Sequence, residues 1–538
     1  HSGGHLTLQA GDNLRADAAD LKAAGNLNLS SAKQLQLGIQ EVQTLNANEN
    51  NHRYWGGIGG ANEAEKSRRS TQVQGTHLQS GQTLTLNGQQ GVELVSADAN
   101  ARQGAYVSSN GDIHIRSASS STQERDHNRT GTAFNITKHA ETTAAQDTRN
   151  QGSDLRAEQD LKVSGGQDVT LTGSRLQSQG TTEINAGKNL HIEQGSNTHQ
   201  SSKETADLHG TTYAHKSGDS KYRAGAGLEF TRDSHSESAQ TAAHSQLSGQ
   251  DLTLKAGENV SVQGGELSSK QDTTLSGKNI ELTGAKESHS QQDSHLQTGA
   301  GIYVRGGLDQ AGLGLESSTT HSSEQSASQT EQGTRTHTGG NLTLNASDTL
   351  TQQGAQHSVQ GNYQENAAQS SHLASANHSQ SSTSHTSVTT DLGAAVDYSA
   401  ITRPAVEAVK KITHADVDGG KASFNEAKQG IPELQGTLQV NVDHKTNSQQ
   451  QTTQQGTQIQ AGNIAVNTQG KLTDQSSQYQ ATDGNIDINS GSYEHRAAQD
   501  ETRTHQSHTT GNLSVTAATT TGEDLRLSGE LGINQQGE

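Results

Sequence analysis

The chain has no cysteine and no methionine, and only two prolines, three phenylalanines and one tryptophan in 538 residues. Without cysteine there are no disulfides and no thiolate metal ligands, which suits a protein exported unfolded. Without methionine there is no start residue, which points to a piece of a longer protein. Hydrophobic residues make up 27% and aromatics 2%, too little for one compact core at this length. No apolar run reaches the ~18 residues of a membrane-spanning helix. No signal peptide is visible, which in a fragment says nothing of the full protein's address. Positive charge is also short, with 38 Lys and Arg against 57 Asp and Glu and a formal charge of -19. A nucleic-acid partner needs clustered cations and is not expected. Low hydrophobicity with such charge fits disorder. It equally fits a solenoid, in which each coil buries only a narrow strip.

What is present decides for the solenoid. Brief apolar pulses alternate with period two, as in Leu161-x-Val163, Val169-x-Leu171 and Leu190-x-Ile192, the mark of short strands. Turn pairs ending in Asp or Asn precede many of them, such as Gln167-Asp168 and Lys188-Asn189. The unit returns at Leu252-Thr253-Leu254, Ile280-Glu281-Leu282, Leu342-Thr343-Leu344, Ile464-Ala465-Val466, Ile486-Asp487-Ile488 and Leu513-Ser514-Val515. Such pulses build a right-handed parallel β-helix with inward Leu, Ile and Val in ladders. The asparagines suit turns that need a left-handed residue; stacked amides are the alternative use.

Coils are expected over 1–47, 71–116, 153–194, 246–284, 338–364, 456–490 and 511–538. Inserts separate them at 48–70, 117–152, 195–245, 285–337, 365–455 and 491–510. Leu161, Leu252 and Leu342 recur at intervals of 91 and 90 residues, so the repeat is a cassette of coils plus insert. The inserts have Ser-, Thr-, Gln- and His-rich flanks and Gly-rich alternating middles, and read as projecting β-hairpins with arms of about eight to ten residues. The longest differs. Pro404 at a first helical position, with Ala405, Val406, Val409 and Ile412 on one side, predicts a short helical insert near 404–429.

The glycine-led L-x-L coils, such as those at 249–254 and 340–344, and the polar hairpins between them resemble the hemagglutinin-repeat region of two-partner-secretion exoproteins. These are the filamentous hemagglutinins and the contact-dependent growth inhibition toxin-delivery proteins. The resemblance covers nearly the whole chain. It implies a secreted or surface-exposed filament of a Gram-negative bacterium, exported through a partner outer-membrane transporter. It also implies a C-terminal toxin region in the parent chain and translocation to a target cell's outer membrane.

Chemistry is sparse. The 26 histidines read as solvated, including His505-x-x-His508. Asp and Glu recur one per turn, as at Asp160, Asp168, Asp251 and Glu258, which points to turns rather than a catalytic pair. No catalytic residue, cofactor or metal site is assigned. The sharper expectation concerns the inserts. Ala224, Ala226, Leu228 and Phe230 share one face of an arm, as do Ala300, Ile302 and Val304, with aromatics near arm ends. Tyr54, Trp55, Tyr213, Tyr222, Phe230, Ile302, Tyr303, Val304 and Tyr398 are the candidate contacts with a membrane or partner. Either the hairpins pair into a membrane-inserting sheet, or they pack on the solenoid flank or on each other. An adhesin stalk that binds a surface receptor and a carbohydrate-active β-helix enzyme are the other readings.

Overall fold

The computed structural model describes residues 1–53, 60–132, 137–216, 221–307, 309–397, 433–520 and 525–537. Within them the chain is all-β, a parallel β-helix carrying an antiparallel sheet. The helical insert expected near 404–429 lies outside the described residues.

One coil is three strands, for example Leu161–Gly165, Val169–Thr172 and Arg175–Ser178. Each strand pairs in parallel with its equivalents in the next coils, 21 residues on when no insert intervenes, as Leu6 with Leu27 and Leu161 with Thr182. The first two strands of the coils belong to a 20-stranded sheet and the third strands to an 11-stranded one. Stacking in register turns each L-x-L pulse into two inward ladders. Leu8, Leu29, Leu86, Val107, Val163, Ile184, Leu254, Leu275 and Leu344 form one of them. From Leu29 onward its members are essentially inaccessible to solvent. Fully burying such a side chain is worth about 1.5–3 kcal/mol, so a chain poor in apolar residues still holds a continuous core. Among the described residues no asparagine takes the left-handed conformation expected of it; the stacked amide is the use found. Asn279 donates through its amide to Asn259 (2.8 Å) and Asn259 to Asn189 (2.7 Å), continuing the turn ladder from coil to coil.

The corner between the second and third strands has two forms that alternate. In every other coil it is a tight turn through one left-handed residue: Ala18, Ser96, Gly173, Gly264, Gly354 and Ser476, with φ between 48° and 59°. In the coils between, a β-hairpin leaves at the same corner. After each of the first five hairpins the chain re-enters through a buried Ser or Thr: Thr76, Ser153, Ser245, Thr334 and Thr457. Their hydroxyls bond corner carbonyls, as Ser245 to Glu193 (2.6 Å), Ser153 to Arg116 (2.9 Å) and Thr334 to Thr283 and Val262 (both 2.9 Å). The carbonyls of Glu193, Arg116 and Thr283 also accept the N–H of the left-handed residue one coil earlier. The two corner types therefore clamp each other.

The hairpins are longer than their alternating middles. The first pairs Gln40–Arg53 with Ala61–Gln74 and the second Ala118–Gly131 with Lys138–Gln151. The third pairs Gly195–Lys216 with Lys221–Ala243, and the fourth Ala285–Gly307 with Gln310–Gln332. The fifth pairs Ser375–Asp397 with Glu433–Gln455 and the sixth Glu501–Thr520 with Arg526–Gly537. Arms of 22 or 23 residues in the third to fifth hairpins replace the expected eight to ten, because the polar flanks are strand as well. Four boundary expectations are corrected. Residues 365–373, expected in the fifth insert, belong to a coil through Asn362–Ala367 and Gln369–Leu373, and 491–496, expected in the sixth, end the coil strand Ile486–Arg496. Residues 40–47 already belong to the first hairpin, and 511–538 does not add coils: 511–520 and 525–537 hold strands of the sixth hairpin. The Leu513-Ser514-Val515 pulse pairs antiparallel with Gln439 and its neighbours, not with a coil. All six hairpins join edge to edge into a single 12-stranded antiparallel sheet, here called the fin.

Thr334→Val keeps the volume and removes both hydroxyl bonds at its corner. It should cost about 1 kcal/mol, read as a lower urea midpoint and faster amide exchange at Gly264 and Arg335, with exchange at Leu29 and Leu86 unchanged.

Candidate functional site

The outer half of the fin, away from the solenoid, holds the sequence-predicted residues. Strand pleating sends alternate side chains to opposite faces, and the registers align them across hairpins. Ala226, Ile302, Leu315, Leu392, Leu438 and Val515 form one row, and Ala224, Val304, Leu313 and Ala394 the next. This face is bare: Ile302, Val304, Leu313 and Leu315 are all more than half exposed, as are Tyr222, Leu228 and Leu434. It continues through Leu527, Leu531 and Ile533, each at least 70% exposed. Nearer the solenoid the same face turns polar, with hydroxyl pairs across strands such as Ser234 with Ser294 (3.0 Å) and Ser323 with Ser384 (2.9 Å).

The opposite face of the outer half is polar and self-covered. Tyr213, Gly225, Tyr303, Gly314 and Gly393 lie in one row, so large rings stand beside residues without side chains. A Cβ at Gly225 would sit 2.6 Å from the Tyr213 ring, and one at Gly314 would strike the ring of Tyr303. The Tyr303 side chain is buried at 3% exposure. Its hydroxyl donates to Asp391 (2.5 Å), and the Arg223 guanidinium lies 3.7 Å above its ring centre. Arg223 also bonds Glu316 and Asp391, and Tyr213 donates to Glu316. Burial and the neighbouring Asp391 carboxylate push the Tyr303 phenol up to about 12. Burial opposes the Arg223 charge, but Tyr213, Glu316 and Asp391 hold its pKa above the ordinary value.

Further in, this second face carries His–Asp pairs across strands: His139–Asp207, His199–Asp147, His235–Asp293, His295–Asp233 and His508–Asp443, at 2.5–2.8 Å. Several of them edge a shallow concavity of about 1310 Å³. The partners are roughly two-fifths exposed, so each pair is worth about 0–1 kcal/mol. Their use is to match neighbouring strands. Among the described residues no three His, Asp or Glu side chains gather as metal ligands would.

Tyr222, Phe230, Ile302 and Val304 thus share the apolar face, whereas Tyr213 and Tyr303 belong to the opposite network. Tyr54, Trp55 and Tyr398 lie outside the described residues. Sequence reasoning left out Leu313, Leu315, Leu392, Leu434, Leu527, Leu531 and Ile533, although alternation through 311–317 and 525–533 carries the same signal.

The repeating hairpin-bearing coils match the model of the Hemagglutinin repeat family over residues 57–138, 134–300, 232–349, 313–429 and 438–538. The chain belongs to the hemagglutinin-repeat family. This bears out the resemblance to the repeat region of two-partner-secretion exoproteins. The chain is similar to a protein named Hemolysin from Serratia marcescens, with 33% identity over 98% of this chain and 33% of that protein. It is similar to another of that name from Proteus mirabilis, with 26% identity over 98% of this chain and 34% of that protein. The chain spans about a third of the length of both relatives. No solved structure matches it.

Gly314→Ala should force the Tyr303 ring off its seat and break the Arg223 stack. The expected cost is about 1–3 kcal/mol, seen as faster exchange in Ala285–Gly307 and Gln310–Gln332 while the coil amides hold. Tyr303→Phe removes only the bond to Asp391 and should cost about 1 kcal/mol.

Proposed function

We propose that this chain is the membrane-contacting repeat segment of a secreted or cell-surface bacterial exoprotein. The coils are scaffold, and the outer half of the fin lays its apolar face against the lipid bilayer of a target cell. The observation that carries this is the bare apolar face on strands locked into one sheet. Contiguous exposed apolar surface of this kind marks an interaction site. Its depth suits a bilayer: the apolar rows run from Tyr222 to Phe230, about 27 Å at strand rise, close to the hydrocarbon thickness. On the opposite face Arg223 pairs with Glu316 and Asp391 within the sheet. An apolar face backed by a polar one is the pattern of membrane-embedded strands.

Two relatives named Hemolysin favour a membrane over a protein receptor as the surface contacted. Export through a partner outer-membrane transporter follows from the two-partner-secretion family. Delivery of a C-terminal toxin to a neighbouring cell is the use that the growth-inhibition branch makes of such contact. The role is structural rather than catalytic.

Liposome flotation tests the reading. The chain should float with vesicles of phosphatidylethanolamine and phosphatidylglycerol. Ile302→Asp with Leu313→Asp, both at exposed positions, should each cost less than the about 2–4 kcal/mol of a Lys or Arg at the bilayer centre, and together abolish flotation. A wild-type chain that stays at the bottom of the gradient sinks the proposal. If it instead dimerises in lipid-free buffer through these residues, the face belongs to a second copy.

A further inference from the structure

The solenoid interior changes character near its distal end. One inward ladder runs Ile115, Leu171, Ile192, Val262 and Leu282, then Gln352, His372 and Asp474. In the ladder beside it Glu365 stands between Leu344 and Val466, and on the third wall His357 stands between Thr336 and Ile459. Gln352, Tyr363, Glu365 and His372 are all 0% exposed and His357 3%. In the coils before, the first two inward ladders hold mainly Leu, Ile and Val, with a few hydroxyls but, among the described residues, no buried titratable group.

They are bonded in one pattern. Tyr363 donates to Glu365 (2.7 Å), and the Gln352 amide donates to Glu365 (3.0 Å) and to the Tyr363 oxygen (2.8 Å). His372 meets Glu365 through Nε2 at 3.0 Å and the Tyr479 hydroxyl through Nδ1 at 2.6 Å. His357 gives its Nε2 proton to the Gln352 oxygen (2.6 Å), while its Nδ1 is buried without a partner. Asp474 is the next residue in the His372 ladder, and Tyr493 from the following coil donates to it (3.0 Å). The titratable groups facing the two histidines are therefore Glu365 and Tyr363 from one wall, Asp474 from the next coil and Tyr479 from the third wall.

We propose that the coils from Leu342 to Arg496 are an acid-sensitive joint of the solenoid, closed near neutral pH and opened when this enclosed network takes up protons. The pattern tolerates no further proton. One added to Nδ1 of His357 makes a second buried cation near His372, with no acceptor. One added to Glu365 strips His372 of its counter-charge, and breaking a buried pair from one side is strongly destabilising. The joint lies at the root of the fifth hairpin, which leaves after Leu373 and returns before Gln458. Opening it frees the distal coils from the scaffold while strand pairing keeps the hairpin in the fin.

The direction follows from the protonation of each group. Burial, aided by the His372 charge, lowers His357 to about 4, so the stability it contributes is complete above pH ~6.5 and falls as pH drops toward 4. Burial opposes the Glu365 charge, but His372 holds its pKa below the ordinary value, so its contribution is lost in stronger acid. His372 is raised by Glu365 against the effect of burial. Its contribution grows as pH falls toward ~6.5 and is complete below that, so it offsets part of the His357 loss without cancelling it.

Hydrogen exchange of the whole chain, corrected for intrinsic rates, tests the joint. Between pH 7.5 and 5.0, opening of peptides in 342–373 and 458–481 should rise about 3- to 30-fold, the His357 loss less the part that His372 offsets, with peptides in 161–192 unchanged. His357→Leu, which matches Ile459 and the earlier Leu267 of its ladder, should remove most of the pH effect. Glu365→Gln should loosen the same peptides already at pH 7.5. Equal protection of distal and proximal coils at both pH values overturns the proposal, as does a full acid response in His357→Leu. Should His357→Leu fold poorly at neutral pH, the wild-type comparison and Glu365→Gln decide.

Discussion

The spacing of hairpin roots along the solenoid governs the rest of the molecule. Stacked parallel strands rise about 4.8 Å per coil, and a hairpin leaves at every second coil, so neighbouring roots stand about 9.6 Å apart. A two-stranded hairpin is itself about 9.6 Å wide. Hairpins at this interval meet edge to edge with matched strand spacing, and their backbone groups pair. Insertion at every coil would crowd them; insertion at every third would leave open edges. The alternation of left-handed corners with Ser- or Thr-sealed exits sets this interval, and the continuous fin follows from it.

Once the fin is continuous, pleating does the remaining sorting. Side chains that alternate along one arm become rows across many arms, so a modest apolar bias in each hairpin sums to one broad face. The reverse face can then afford charge, because Arg223 reaches carboxylates from the neighbouring fourth and fifth hairpins, Glu316 and Asp391. Glycines 225, 314 and 393 are part of the same design, since each lies beside a tyrosine ring that needs the space of an absent side chain. Membership of the hemagglutinin-repeat family accounts for the scaffold. The fin's two unlike faces are what the proposed membrane contact rests on.

The coils were legible in the sequence because burial leaves a mark: Leu252-Thr253-Leu254 alternates since one face is inside. The interval of about 90 residues was legible too, and resolves into two coils and one hairpin. The polar hairpin flanks were not, because strands wet on both faces, such as 317–332, carry no burial signal. Leu513-Ser514-Val515 misled for a related reason. Its local pattern is that of a coil, and only pairing with Gln439 and its neighbours makes it hairpin. Ile302 and Val304 were placed on one face by alternation and Tyr303 was added as an arm-end aromatic, but the pleat sends Tyr303 to the other side, into the Arg223 network. Glu365 and His372 fell within the expected insert 365–455, since nothing local says that a Glu occupies a leucine position of its ladder.

The central claim is that one face of one sheet meets lipid, and alternation along a single strand tests it most directly. The chain has no native cysteine, so single cysteines at 300, 301, 302, 303 and 304 can each carry an environment-sensitive fluorophore. On adding liposomes, labels at 300, 302 and 304 should shift to the blue and become shielded from aqueous quencher, while labels at 301 and 303 stay as they were. A uniform response along the five positions, or none at all, would contradict the account.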